Sequence, residues 1–120
     1  MNSSITTDSQ LARLAQTIGV NLNGIYPSEM LKNIPFVSGK YIINLGNAHW
    51  VALNGDSYFD SFGFIYPLSI RDWAHPKKYN HIQIQAYRSG FCGQYCLMWL
   101  KYGNEILKRF EPLNRVIYSS

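Results

Sequence analysis

The sequence has only two cysteines, Cys92 and Cys96, in 120 residues. Two cysteines exclude the disulfide framework that stabilises many small secreted proteins. No segment approaches the roughly 18 consecutive apolar residues that a membrane-spanning helix needs. The polar N-terminus, MNSSITTDSQ, lacks the basic and apolar pattern of a signal peptide. We therefore expect a protein that acts inside cells, with both thiols reduced and no membrane contact.

Acidic residues are also few, with seven Asp and Glu against eleven Lys and Arg, which gives a formal net charge of +4. This excess is compatible with weak binding to nucleic acid. The basic residues are scattered, apart from Lys77-Lys78 and Lys108-Arg109, so the sequence does not indicate a dedicated nucleic-acid surface.

Apolar and aromatic residues are plentiful, since 47% of the residues are hydrophobic and 15% are aromatic. This composition excludes a disordered chain, and the length predicts a single domain over residues 1–120. Periodicity predicts a helix over 9–20, with Thr7 or Asp8 as its N-cap. Strands are expected at 40–45, 49–53, 57–62 and 81–86, and short helices at 27–32 and 67–73.

The last long segment, 92–110, carries a thick apolar stripe at helical spacing, which predicts a helix inside the fold. A helix, a run of strands and a final buried helix together indicate an α+β domain. We expect a small, mainly antiparallel sheet packed against a buried central helix.

The dipeptide Asn54-Gly55 lies between two strand-like runs and predicts a two-residue hairpin of type I′. In that register His49 is directly opposite Asp60, and directly opposed side chains on one face lie within about 5.5 Å of each other. A carboxylate beside an imidazole can orient it for catalysis if a nucleophile is near. The alternative is an ordinary surface pair.

Cys92 follows Ser89-Gly90 and is expected in the first turn of the buried helix. The helix dipole favours a thiolate there, and the free N–H groups of the first turn can donate to an oxyanion. Cys96, one turn later, is expected to be a buried apolar residue. Gln85 and Gln83 are both candidates for a second oxyanion donor, and their positions alone do not separate them.

A zinc site is an alternative, with Cys92, Cys96 and one of His49, His75 or His81 as ligands. The two cysteines are four residues apart on a helix, and no second close pair of ligands follows. The sequence therefore favours a site without metal.

Three blocks of this sequence resemble the catalytic blocks of the adenovirus protease family, the adenains. These blocks are GNAHWVAL (46–53), YFDSFG (58–63) and QAYRSGFCGQYC (85–96). They are at least as similar to relatives in virophages, Polinton-type elements and other DNA viruses. The wider clan includes the SUMO and ubiquitin-like deconjugating proteases. The segments SQLARLAQTIGV, NGIYPSEML and IPFV extend the resemblance over nearly the whole chain.

The resemblance implies a papain-like, adenain-like cysteine protease core. The spacing of seven between the glutamine and the cysteine matches the family and selects Gln85. Trp50 would line the substrate channel; the alternative is that it is an aromatic residue of the core. Gly93 would allow close backbone approach beside the nucleophile. The implied catalytic residues are Cys92 as nucleophile, His49 as general base, Asp60 as its orienter, and Gln85 with the Cys92 backbone N–H as the oxyanion hole.

On this basis we expect a cysteine endopeptidase that cleaves viral precursor polypeptides during maturation or polyprotein processing, in the host cytoplasm or nucleus or in the virion. The alternatives are a deconjugase for ubiquitin-like modifiers and a non-catalytic protein-binding module. The sequence requires no cofactor. Adenain is stimulated by a disulfide-linked peptide and by DNA. No further cysteine is present here for such a peptide, so the sequence gives no support for a disulfide-linked activator. A domain cut from a larger polyprotein is an alternative to a free-standing protease.

Overall fold

The computed structural model describes residues 7–46, 49–80, 83 and 92–106. Within these residues, five strands form one sheet in the order of the chain, and helices cover it. The strands are β1 (Gly24–Pro27), β2 (Lys40–Asn44), β3 (Trp50–Asn54), β4 (Ser57–Phe59) and β5 (Lys78–Tyr79). The helices are α1 (Asp8–Ile18), a 3-10 helix (Ser28–Asn33), α2 (Leu68–Ala74) and α3 (Cys92–Tyr102).

The sheet is mixed, which corrects the expectation of a mainly antiparallel one. The inner pairings, β2 with β3 and β3 with β4, are antiparallel. The outer pairings, β1 with β2 and β4 with β5, are parallel. Neither outer strand is among the strands expected from the sequence. The α+β class and the packing of the sheet on a buried α3 are confirmed.

Apolar side chains cover both faces of the sheet. Successive strand residues point to opposite faces, so Ile42 and Ala52 pack with α1 and α3, while Ile43 and Val51 pack on the other side. The second side is covered by the 3-10 helix and α2. Burial on both faces explains why the central strands read as nearly continuous apolar runs.

The first helix forms where the sequence predicts one, but it covers Asp8–Ile18 and so ends two residues before the predicted range of 9–20. Thr7 is the N-cap, and it forms a reciprocal capping box with Gln10. The helix ends at Gly19, whose φ of 83° is a left-handed conformation that glycine adopts easily.

The hairpin turn differs from the predicted one. Asn54 pairs with Ser57, so the two loop residues are Gly55 and Asp56. Gly55 has φ 61° and Asp56 does not have a positive φ, which is the pattern of a type II′ turn with glycine in its first central position. The predicted register is therefore wrong by two residues. Side chains keep their faces, because a shift of two leaves the alternation unchanged.

Strand β4 is shorter than predicted because the chain turns away after Phe59. The Gly63 N–H donates to the Asp60 carbonyl over 2.8 Å, which closes a tight turn.

The two predicted short helices are each found one residue later in the chain than predicted, at Ser28–Asn33 and Leu68–Ala74. The predicted strand at 81–86 lies outside the described residues except for Gln83, which is in neither a helix nor a strand. None of the helices described is both long and apolar enough to span a bilayer.

Candidate active site

His49 and Asp60 lie at the same end of the sheet, just before β3 and just after β4. His49 Nε2 is 3.0 Å from Asp60 Oδ1. The Asp60 carboxylate is almost fully buried, with 2% of its side chain exposed, and the His49 side chain is 18% exposed. The sequence predicts this contact. The two residues are not directly opposed in the strand ladder as expected, however, because both lie outside its ends.

The Asp60 carboxylate is held in place by the turn that follows it. The same oxygen, Oδ1, also accepts the Phe62 backbone N–H over 2.8 Å. The backbone of Asp60 bonds to the side chain of Asn80, which is buried. The carboxylate therefore faces the imidazole, and the backbone that carries it is fixed by the hydrogen bonds to Asn80.

Cys92 is the first residue of α3 and is 3% exposed. The Trp50 backbone N–H donates to its Sγ over 3.3 Å. Trp50 directly follows His49 in the chain, so this bond holds the sulfur beside the start of β3, next to the imidazole.

The His49 imidazole carries a perturbed pKa. Burial alone would lower it, but the Asp60 hydrogen bond, the interaction with the Cys92 sulfur and the negative charges of both partners raise the pKa to about 9. The Asp60 carboxylate is bonded to His49 Nε2, so Nδ1 is the ring nitrogen that remains for the Cys92 sulfur. Nδ1 is buried and makes no hydrogen bond of ordinary geometry to any described atom. The environment therefore favours the imidazolium form.

Phe62 supports the imidazole from one side. Its ring is parallel to that of His49, at an interplanar angle of 1° and a centroid distance of 4.5 Å. The negative face of an aromatic ring stabilises a cation above it. The sequence does not reveal this role, because Phe62 has the pattern of an ordinary aromatic residue in a strand.

Trp50 and Gly93, the predicted substrate contacts, are both buried. Trp50 packs in the core on the α3 side and borders an open groove of about 440 Å³. Its indole N–H has no hydrogen-bond partner among the described residues. At Gly93, an added Cβ would come within 2.8 Å of Leu11 of α1, so the missing side chain allows two helices to pack closely.

The predicted oxyanion donor Gln85 lies outside the described residues, so that assignment stays a prediction. Cys96 is fully buried, as predicted, and burial raises the pKa of its thiol well above the usual range.

The alternative of a zinc site needs a histidine near the two cysteines. Apart from His49, the candidate ligands are His75, which is exposed, and His81, which lies outside the described residues. No group of three metal-binding side chains is found in the part of the chain that the structure describes.

Neither a protein-family model nor a curated protein matches this chain. A buried carboxylate orients an imidazole, and the imidazole lies beside a sulfur at the start of a helix. This is the arrangement that activates a cysteine for attack on an electrophilic carbon.

Proposed function

We propose that the protein is a cysteine endopeptidase in which Cys92 is the nucleophile, His49 transfers protons and Asp60 orients His49. The observation that carries this proposal is the 3.0 Å contact between His49 and Asp60, next to a sulfur fixed by the Trp50 N–H. In this arrangement the Asp60 carboxylate orients the imidazole of His49, and the imidazole activates the Cys92 sulfur.

The proposed reaction is acyl transfer. The Cys92 thiolate attacks the carbonyl carbon of the scissile peptide bond, and a C–S bond forms. His49, as imidazolium, gives its proton to the leaving amine as the C–N bond breaks. Water then attacks the thioester and His49 accepts one of its protons; the C–S bond breaks, the acid product leaves, and the Cys92 thiolate and the His49 imidazolium are restored. The raised pKa of His49 supports the proton donation in the first half of the reaction.

The substrate class and the fold family rest on the resemblance of the three sequence blocks to adenain-like proteases. On that resemblance we propose viral precursor polypeptides as substrates, in the host cell or the virion, and a papain-like core. Gln85, with the backbone N–H of Cys92, would bind the oxyanion. The proposed contact of Trp50 with substrate rests on the same resemblance, because the groove that Trp50 borders is otherwise lined by residues of α1 with its N-cap, β1 and β2.

The direct test is incubation of the purified chain with candidate precursor polypeptides, followed by mass spectrometry of the cut ends. We expect defined internal cleavages that are lost in Cys92→Ala. A fluorogenic ubiquitin-like substrate is assayed in parallel, and selective turnover of that substrate would favour a deconjugase. If neither kind of substrate is cut, even with viral peptides or DNA supplied, the endopeptidase proposal fails and a binding module gains support.

A further inference from the structure

We propose that Asn80 is a positioning residue that holds the Asp60 carboxylate in place through the Asp60 backbone. This inference extends the proposed function, because it identifies a residue outside the Cys–His–Asp set on which the geometry of that set depends.

The Asn80 amide bonds to both sides of the Asp60 main chain. Its Oδ1 accepts the Asp60 N–H over 2.8 Å, and its Nδ2 donates to the Asp60 carbonyl over 2.6 Å. Asn80 is 7% exposed, so water competes little with these two bonds. They join positions 20 residues apart and need both the acceptor and the donor of one side-chain amide.

The need for this amide follows from where Asp60 lies. The ladder between β3 and β4 ends at Phe59, and the pairing between β4 and β5 ends at Tyr58 with Tyr79. Asp60 therefore lies beyond both ladders. The Asn80 side chain, directly after β5, gives Asp60 the two bonds that a neighbouring strand would otherwise supply.

Fixing this backbone also fixes the carboxylate. The Phe62 N–H, in the turn after Asp60, donates to the carboxylate oxygen Oδ1, and Asn80 holds the main chain of Asp60. A buried carboxylate that is held at both ends stays 3.0 Å from His49 Nε2. Without Asn80, Asp60 is free to rotate or shift, and a displacement on the order of 1 Å in such a site can cost a factor of 10² in rate.

The first experiment measures the pKa of His49 by NMR of its ring protons, in a Cys92→Ser background that removes the thiol's influence. We expect Asn80→Ala to lower this pKa by about 1 unit, since a displaced carboxylate stabilises the imidazolium less. The matched control is Asn23→Ala, which removes an Oδ1 bond of 2.9 Å to the Lys40 N–H elsewhere in the sheet. It should leave the His49 pKa unchanged.

Asn80→Ser is a milder variant in case Asn80→Ala does not fold, because a hydroxyl is too short to reach both backbone atoms. It should give a smaller shift in the same direction. If the folded variants keep the wild-type His49 pKa and lose only thermal stability, Asn80 is merely structural and the inference is overturned.

The second experiment measures peptide cleavage with Cys92 present. We expect Asn80→Ala to lower kcat roughly ten- to hundredfold with little change in KM. In the double variant with Asp60→Ala, it should cause no further loss, because Asn80 acts through that residue. Additive losses would contradict the inference. If the wild-type chain cuts nothing, the proposed function fails, while the NMR experiment still decides the role of Asn80.

Discussion

Asp60→Asn should remove most of the pH dependence that His49 gives to the stability of the fold. The substitution keeps the size of the side chain and an oxygen for the Phe62 N–H, but it removes the negative charge beside the imidazole. The His49 pKa is about 9 in the folded protein, against an ordinary value of 6.5. A group with a raised folded-state pKa stabilises the fold fully below its unfolded pKa. Its contribution is lost as the pH rises from 6.5 through 9.

The size of this effect follows from the rise in pKa. At 1.36 kcal/mol per pKa unit, the rise corresponds to about 3 kcal/mol. Part of it belongs to the Cys92 sulfur, and the 18% exposure of the His49 side chain weakens the ion pair. We therefore expect about 2 kcal/mol of the change in stability between pH 6 and pH 9 to disappear in Asp60→Asn.

The assay is urea unfolding of both proteins under reducing conditions at several pH values between 6 and 9. The free energy of unfolding of the wild type should fall over this range relative to that of Asp60→Asn. Asp72→Asn is the matched control, because the Asp72 pair with Arg71 is exposed at the surface. It should follow the wild type. If Asp60→Asn shows the same pH dependence as the wild type, His49 is not stabilised by Asp60 and the reasoning is refuted.

Three further predictions concern residues near this pair. Iodoacetamide should alkylate Cys92 much faster than Cys96 in the folded protein, because Cys92 is at the start of α3 and burial raises the pKa of the Cys96 thiol; peptide mapping that finds the reverse order would contradict the assignment. Gly93→Ala should destabilise the fold by about 1 kcal/mol, because the new Cβ meets a buried leucine of α1 and the gain in helix propensity offsets this only in part. Thermal unfolding checks this, and unchanged or higher stability would count against it. Gln85→Ala should lower kcat by about 10²–10³ with folding intact, and Gln83→Ala much less; equal effects would remove the oxyanion assignment.

The contact between His49 and Asp60 could be predicted although the register behind it was wrong. In a hairpin, the sequence pattern predicts which face each side chain occupies more reliably than it predicts which residues pair across the strands. The dipeptides Asn54-Gly55 and Gly55-Asp56 both suit a tight turn, and the two choices differ by two residues in register. That difference leaves both side chains on the same face.

The outer strands could not be read from local pattern. In β1 (Gly24–Pro27), glycine and proline bound the strand, and all four residues are only half-buried, so no alternation is visible. In β5 (Lys78–Tyr79) the two residues are exposed and belong to a polar, turn-rich segment. Both strands are defined by parallel partners elsewhere in the chain, and such pairing leaves little local signal.

The supporting residues of the site were missed for a similar reason. Asn80 lies in the same polar segment as β5, and its partner is 20 residues away. Phe62 alternates like an ordinary strand residue, yet the strand has already ended and its ring stacks on His49. The candidate catalytic residues have distinctive types and order along the chain, whereas the residues that hold them in place do not.

The central claim is that Cys92 is a nucleophile activated by His49. The most direct measurement is the intact mass of the full chain after reaction with a peptide vinyl sulfone. We expect one adduct per molecule, absent in Cys92→Ala and retained in Cys96→Ala. His49→Ala should slow its formation strongly, and Asp60→Ala should slow it less, because Asp60 orients the imidazole and does not transfer the proton. An adduct that persists in Cys92→Ala, or a rate that does not depend on His49, would contradict the claim.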